Sequence, residues 1–293
     1  MSTPSPSIVI PVNPANPGQF FACCGVLELA DRLWSGAEAR FENGHFLVIG
    51  PPECSLHALL SKLAESTVAN TMTPVQNARL EELSSMKKKE REAIPGLEDE
   101  KKSLESLRRE LPIVIAGAIE FRVDWFCTEL SGGSRFKTWA GQQSVLDIVQ
   151  AMHCGLIKAI GGGNSSLWGT VRGIGLPFNF DSELGAQGSA LDIGFSFDPL
   201  AGSEATRIDV PCRPALELLC FIGLQRFRPR EIPWESRFVY TAWSPALSPA
   251  VAAAVACGAV EVGDGLLHEF KLLYRTKYLK SFLPAIPFQG DPQ

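Results

Sequence analysis

The chain has 293 residues, with 27 Lys plus Arg and 32 Asp plus Glu, so its net charge is -5 with His taken as neutral. This balance excludes a histone-like or ribosomal polycation, but it is compatible with nucleic-acid binding through a local basic patch. Apolar residues make up 45% of the sequence, which is enough for a sizeable core.

The sequence predicts a cytoplasmic protein that has no membrane segment. No basic n-region opens the chain, and the long apolar run at 246–260 contains a proline and is shorter than the ~18 residues that a membrane span requires. The eight cysteines include no Cys-x-x-Cys pair, and most of them have apolar neighbours, which is typical of reduced, buried thiols.

Charged side chains concentrate in residues 79–111, which hold 9 basic and 9 acidic residues and leave 41 charges on the other 260 positions. That remainder is about 16%, below the roughly 25% typical of soluble domains. Two explanations stay open: partner subunits cover much of the surface, or a large core is enclosed by Ser- and Gly-rich loops.

The elements of residues 1–125 follow the ferredoxin-like order of strand, helix, strand, strand, helix, strand. In chain order they are a strand at 7–12, a helix at 18–34, strands at 40–41 and 46–50 around a turn at Asn43-Gly44, a helix from Leu56 to Leu63, and strands at 113–117 and 118–125. We therefore predict an α+β fold whose N-terminal half is ferredoxin-like (RAMP/RRM-like).

A helical hairpin is predicted as an insertion in that half, at about 75–111. Apolar residues recur at helical spacing on both sides of a break at Pro95-Gly96, which indicates two antiparallel helices with a charged exterior. The three lysines at 87–89 are diluted by Glu90 and Glu92, so a solvated face is favoured over a phosphate clamp.

Residues 126–293 are predicted to form a second, looser α+β domain with Gly-rich loops. Its expected elements are helices at 141–159 and 214–227 and strands at 190–197 and 237–243, with a long Gly-rich loop at 161–189. The segment IDVPCRPALELLCFIGL resembles IVIPVNPANPGQFFACCGVL near the N-terminus, which suggests a weak internal repeat of strand, Pro-bearing loop and apolar helix.

The sequence offers no catalytic, cofactor or metal motif, so we predict that the protein is not an enzyme and carries no cofactor. The four histidines lack the spacing of metal ligands, and GGGNSS at 161–166 lacks the lysine of a phosphate-binding loop. No Gly-x-Ser-x-Gly sequence is present. A pair of carboxylates brought together in space stays possible.

Three basic clusters interleaved with aromatic residues are the candidate nucleic-acid contacts. The residues expected to bind are Arg135, Lys137, Trp139, Gln142 and Gln143 in SGGSRFKTWAGQQ, Arg226, Arg228 and Arg230 in RFRPREIPWESRF, and Arg275, Lys277 and Lys280 in FKLLYRTKYLK. Cations pair with phosphates, aromatic rings stack on bases, and amides read base edges. Residues 207–293 hold 10 basic and 8 acidic residues, so positive charge concentrates towards the C-terminus.

The first two clusters also have a structural explanation. Phe136 and Trp139 of the first cluster would then fill the core, and the arginines of the second would form surface ion pairs at the end of a helix. The third cluster is expected to be one strand with Lys271, Arg275 and Lys277 on one face.

Three segments, NPANPGQFFACCGVLELADRLW, FKTWAGQQSVLDIV and YRTKYLKSFLPAIPF, resemble a known family. They are similar to the Csb-type, large-subunit-like proteins of type I-G (formerly I-U) CRISPR–Cas systems. The resemblance implies a subunit of a Cascade-type surveillance complex that carries a guide crRNA and recognises target double-stranded DNA. Its implied partners are the other Cascade subunits and a separate helicase-nuclease. No catalytic residue is implied.

Two alternative functions stay open. The chain could be a protein scaffold of such a complex, whose basic clusters dock acidic patches on its neighbours. It could also be a guide-RNA-processing endonuclease, which would need a general base such as His45 or His153 near a Gly-rich loop.

Overall fold

A computed structural model describes residues 5–127, 136–139, 144–171, 179–183, 212–232, 235, 237–274 and 280–288. The described residues form a mixed α+β structure with eight helices and three small antiparallel sheets. The helices are α1 (Pro17–Trp34), α2 (Leu56–Ala64), α3 (Pro74–Ser85), α4 (Lys88–Glu92), α5 (Leu97–Glu110), α6 (Val145–Gly161), α7 (Pro214–Gly223) and α8 (Pro249–Ala256). The strands are β1 (Ile8–Pro11), β2 (Glu38–Glu42), β3 (His45–Ile49), β4 (Thr67–Asn70), β5 (Ile113–Ala116), β6 (Phe121–Val123), β7 (Arg230–Ile232), β8 (Arg237–Ala242), β9 (Leu266–Tyr274), β10 (Lys280–Phe282) and β11 (Ile286–Pro287).

The first sheet has the strand order β1-β3-β2, and the predicted hairpin between β2 and β3 is confirmed. Asn43 and Gly44 connect these strands with φ values of 50° and 74°, the left-handed backbone that a tight hairpin turn requires. The next strand, β4, pairs with β5 in a second sheet of order β4-β5-β6. A ferredoxin-like sheet has its fourth strand beside β1. In the described residues β4 does not take that place and belongs to a separate sheet.

The helical hairpin predicted at 75–111 is confirmed, with α3 antiparallel to α5. Arg79 pairs with Glu100 at 2.8 Å, and Arg91 pairs with Glu98 at 2.9 Å. The first arm is divided into α3 and α4, because Arg91 turns back and donates to the Leu83 carbonyl at the end of α3. That contact satisfies a carbonyl group that has no partner within the helix.

Helices α1 and α7 pack directly against each other. They are the helices of the two copies of the predicted internal repeat. Their close approach depends on glycine, because a Cβ on Gly25 would lie 2.1 Å from the Leu219 carbonyl oxygen. All ten residues of α7 and 14 of the 18 residues of α1 are buried. The strand that precedes the second helix in the repeat lies outside the described residues.

The third sheet has the order β10-β9-β8-β7, with β11 also paired to β9. Here the prediction of one continuous strand at 270–280 is wrong, because β9 and β10 are antiparallel neighbours with Lys280 opposite Tyr274. Folding back brings Phe282 to 5.0 Å from Phe270, between ring centroids, and buries it. The predicted strand at 190–197 lies outside the described residues.

The buried apolar residues on both sides of the predicted domain boundary at 125/126 form one contiguous core. Helix α7 ends at Gly223, four residues before the predicted end, and Phe227 then stacks on Trp243. Among the described helices, none combines the length and the apolar character needed to cross a bilayer.

Candidate nucleic-acid interface

The predicted site residues are only partly described. Lys137, Trp139, Arg226, Arg228 and Arg230 are placed with their side chains, and Lys280 is placed as part of strand β10. The remaining five, which are Arg135, Gln142, Gln143, Arg275 and Lys277, lie outside the described residues.

Trp139 belongs to the core, as the structural explanation of the first cluster expects. Its residue is 3% exposed, and the ring centroid lies 5.9 Å from those of Trp125 and Phe126 and 6.5 Å from that of Phe221. Stacking on a base would require this ring to leave its cluster. We therefore remove Trp139 from the candidate interface.

Lys137 lies above the Trp139 ring, with its Nζ 5.5 Å from the ring centroid. Partial burial lowers the pKa of this lysine, while the nearby Glu110 carboxylate acts in the opposite direction. The positive charge of Arg109 also acts to lower the pKa of Lys137. Lys137 is therefore a partly buried cation that lies over an aromatic ring, within electrostatic reach of charges at the end of α5.

Arg226 binds a buried carboxylate that the sequence does not single out. Its Nε lies 2.6 Å from Oε2 of Glu28, and its Nη2 donates to Oε1 at 3.2 Å. Arg32, one turn after Glu28 on α1, donates to the same Oε1 from Nε at 2.7 Å. One buried carboxylate thus holds two guanidinium groups at the surface.

Arg122 and Gln225 connect these arginines to β6. The side-chain amide of Gln225 donates from Nε2 to Asp124 Oδ1 at 2.9 Å. Its Oε1 accepts from the backbone N–H groups of Asp124 and Trp125. Arg122 pairs with the other oxygen of Asp124 at 3.1 Å. The guanidinium of Arg32 lies 5.3 Å from the centroid of the Phe121 ring on the same strand.

The thiol of Cys127 donates to the Glu110 carbonyl at 2.9 Å, at the end of α5. Partial burial and the Asp124 carboxylate raise the pKa of the Cys127 thiol to about 11, whereas the charges of Arg122 and Lys137 act to lower this pKa. Arg122 and Lys137 therefore act on the same thiol, and Arg122 is a cation that the sequence reasoning missed.

We call this row of side chains the basic strip. Its cations are Arg32, Arg226, Arg122, Lys137 and Arg109, and its acids are Glu28, Asp124 and Glu110. The strip has two more positive than negative groups, on a chain whose net charge is -5. Arg32, Arg122 and Arg109 were not predicted because each lies within a predicted helix or strand and outside the three clusters of basic and aromatic residues.

The remaining cations of the second cluster are divided between open and paired positions. Arg228 is exposed and has no ion pair with any described residue, while Arg230 begins β7. Arg237 pairs with Glu269 at 2.6 Å and also with Glu235, which matches the explanation of surface ion pairs. Of these three arginines, Arg228 is therefore the one most open to a ligand.

The two histidines named as possible general bases each lie against a backbone carbonyl oxygen. Nε2 of His153 lies 2.9 Å from the Leu63 carbonyl oxygen, and Nδ1 of His45 lies 3.0 Å from that of Asn43. The histidine beside the Gly-rich region is instead His57, whose Nδ1 lies 2.7 Å from Ser165 Oγ. Within the described ranges, no three His, Cys, Asp or Glu side chains are arranged to hold a metal ion.

A second polar cluster joins the beginnings of α1 and α7 to the segment 179–183. Asp181 accepts from Asn16 Nδ2 at 2.8 Å and from Arg213 Nη1 at 3.0 Å. Glu217 accepts the backbone N–H groups of Phe180 and Asp181 at 3.1 and 3.0 Å. Burial raises the pKa of Glu217 to about 8. These hydrogen bonds and ion pairs connect three separate segments of the chain, so their role is structural.

Comparison of the chain with protein-family models, with curated proteins and with solved structures found no match in any of the three. The function is therefore inferred from this chain's own side chains and from the sequence resemblance given above.

Proposed function

We propose that the chain is a non-catalytic subunit of a Cascade-type, CRISPR RNA-guided surveillance complex in antiviral defence. In this proposal it contacts the sugar-phosphate backbone of guide crRNA or of target double-stranded DNA. The basic strip is the observation that carries the proposal, because it concentrates positive charge on an otherwise acidic chain. The motif resemblance supplies the kind of complex.

The chemistry of the strip suits backbone contacts better than base reading. Arginine binds two phosphate oxygens at once, and phosphate contacts fix a protein's position on a nucleic acid without reading its sequence. In RNA-guided complexes, base pairing reads most of the sequence and the protein reads backbone shape. A subunit of this kind needs positioned cations and no catalytic group.

The proposal extends to the fold and to the partners. The run β1-α1-β2-β3-α2 has the chain order of a ferredoxin-like unit, and the sheet order β1-β3-β2 is compatible with it. We propose that this unit is a ferredoxin-like core, and that the remaining Cascade subunits and a separate helicase-nuclease are its partners in the cytoplasm.

Two measurements test the proposal. The first is affinity purification of the tagged chain from its native cells, which should recover a discrete small RNA together with several companion polypeptides. The second is a salt titration of RNA and duplex DNA binding by the purified chain. We expect binding that weakens steeply with salt, and the double variant Arg122→Gln/Lys137→Gln should reduce that dependence. Lys62→Gln, an exposed charge outside the strip, is the matched control.

Each negative result has a definite meaning. Companion polypeptides without any oligonucleotide binding would overturn direct contact and favour the scaffold alternative. A chain that binds no oligonucleotide at low salt and recovers neither RNA nor companions would overturn the whole proposal. Loss of guide maturation on His57→Ala, with binding intact, would favour the endonuclease alternative instead.

A further inference from the structure

Glu28 is a buried carboxylate that carries two arginines, although one would neutralise it. Its side chain is 6% exposed, whereas those of Arg32 and Arg226 are 35% and 41% exposed. A carboxylate removed from water needs a cationic partner, since an unpaired buried charge is strongly destabilising. One arginine meets that need. The second leaves the group with a surplus positive charge at the surface.

We propose that Arg32 and Arg226, held by Glu28, form a clamp for a single phosphate group. The source of that phosphate as a nucleic-acid backbone rests on the proposed function, whereas the clamp itself does not. Glu28 acts as the positioning residue, and the two guanidinium groups are the binding residues.

The hydrogen-bond donors of the two arginines support a further ligand. Each guanidinium has five N–H donors. Arg32 directs Nε and Nη2 at Glu28 Oε1. Arg226 donates from Nη2 to the same oxygen, and its Nε lies near Oε2 without hydrogen-bond alignment. Neither Nη1 makes a hydrogen bond to any residue within the described ranges. Two planar groups on one carboxylate thus keep donors for the paired oxygens of a phosphate.

The position of the clamp is fixed before any ligand binds. Arg32 packs over the Phe121 ring as well as on Glu28, so its long side chain has little freedom left to lose. Arg226 Nε is close to Glu28 Oε2, but this buried oxygen has no aligned hydrogen bond. Ordering flexible side chains is a main cost of binding, and Arg32 is the member of the pair that is ordered in advance.

The charge of the clamp matches one phosphodiester. Two guanidinium groups and one carboxylate have a net charge of one positive unit, and a backbone phosphate has one negative unit. The next ion pair of the strip, Arg122 with Asp124, is neutral as a pair and adds no competing charge. The surplus positive charge therefore suits a single phosphate group, which both inorganic phosphate and a backbone phosphodiester supply.

The experiment uses the full chain with two probes, inorganic phosphate and a fluorescein-labelled single-stranded RNA. Phosphate binding is followed through the arginine Nε–H NMR signals, and RNA binding through fluorescence anisotropy across a salt series. The first variant is Arg32→Gln. The second is the double variant Glu28→Gln/Arg226→Gln, which removes both charges of the pair and leaves no unpaired buried charge. Arg40→Gln, from an ion pair on β2, is the control.

We expect phosphate to shift the Nε–H signals of Arg32 and Arg226 and to leave that of Arg40 in place. RNA affinity should fall roughly tenfold in either clamp variant, as expected for the removal of one charged hydrogen-bonding group. The slope of log affinity against log salt should become shallower by about 0.7 for each phosphate that the variant no longer binds. The Arg40 control should change neither quantity.

The possible failures separate the clamp from the proposed function. If phosphate moves neither arginine signal, the clamp is overturned whatever the RNA does. If RNA binds the wild-type chain and the clamp variants equally, the clamp is again overturned, while the proposed function stands. If phosphate binds and no RNA does, the clamp stands and direct nucleic-acid contact fails. Should Arg32→Gln unfold, Arg32→Lys keeps the ion pair and must still weaken RNA binding by removing the planar fork.

Discussion

Gly25 and Gly223 occupy equivalent places in the contact between α1 and α7. A Cβ on Gly25 would lie 2.1 Å from the Leu219 carbonyl oxygen, and a Cβ on Gly223 would lie 2.1 Å from that of Phe21. Each glycine therefore faces the carbonyl of the residue four positions before the other glycine. The contact is therefore the same when α1 and α7 are exchanged. The predicted internal repeat expects this symmetry of its two helices.

The first prediction follows from this close approach. Gly25→Ala or Gly223→Ala must push the helices apart, and overpacking of this kind costs about 1–3 kcal/mol of unfolding free energy. Urea unfolding measures the loss. Gly161→Ala at the end of α6 is the control, since a Cβ there meets nothing within 4 Å. A Gly25→Ala chain as stable as the control would contradict the packing.

The second prediction concerns pH and Glu217. Burial raises the pKa of this carboxyl from its ordinary 4.5 to about 8 in the folded protein. Between these two values the folded protein keeps a proton that the unfolded chain has lost. The contribution of Glu217 to stability therefore falls as pH rises through this window. Urea midpoints across a pH series should decline more steeply for the wild type than for Glu217→Gln.

The slope, and not the absolute stability, is the quantity to compare. Glu217→Gln replaces an acceptor of the Phe180 or Asp181 N–H with an amide donor, which lowers stability by a constant amount at every pH. His268 acts in the opposite direction, since burial lowers its pKa, but it is present in both proteins and cancels. Parallel pH profiles for the two proteins would contradict the raised pKa of Glu217.

The third prediction orders the thiols by reactivity. Cys154 and Cys127 are both exposed, but the Cys127 thiol donates to the Glu110 carbonyl at 2.9 Å and has its pKa raised to about 11. Iodoacetamide should therefore modify Cys154 first and Cys127 more slowly, because the thiolate is the reacting species. Mass spectrometry of the native chain measures the order, and Cys154→Ser should remove the fast phase. Early modification of the buried Cys23 or Cys24 would contradict the packing of α1.

The fourth prediction concerns Trp139. Trp139→Ala should lower the unfolding free energy by about 3–5 kcal/mol, because it removes a large ring from the cluster with Trp125 and Phe221. Trp139→Phe retains much of the ring and should leave RNA affinity unchanged. If Trp139→Phe keeps its fold but loses RNA affinity, the ring belongs to the interface after all.

Local patterns were sufficient to predict most of the N-terminal half. The Asn43-Gly44 turn and the helical spacing of Leu56 to Leu63 are encoded within a few residues, and the structure has both elements. The break at Pro95-Gly96 is equally local. Such features are readable from sequence because turn geometry and helical periodicity need no distant partner.

The candidate interface could not be predicted in the same way. Arg32 and Arg226 lie far apart in the sequence and meet only because α1 packs against α7. The fold-back between β9 and β10 likewise depends on burying Phe282 against Phe270. In both cases long-range packing decides where a charged side chain lies, and no window of the sequence contains that information.

The packing of α1 against α7 also constrains how the protein is made. During synthesis α1 emerges about 180 residues before α7, an interval of roughly 10 to 40 s at ordinary translation rates. Throughout that time a nearly all-apolar helix has no α7 against which to close. A truncated product that stops before α7 would therefore leave the buried residues of α1 without their partner, and we expect it to aggregate.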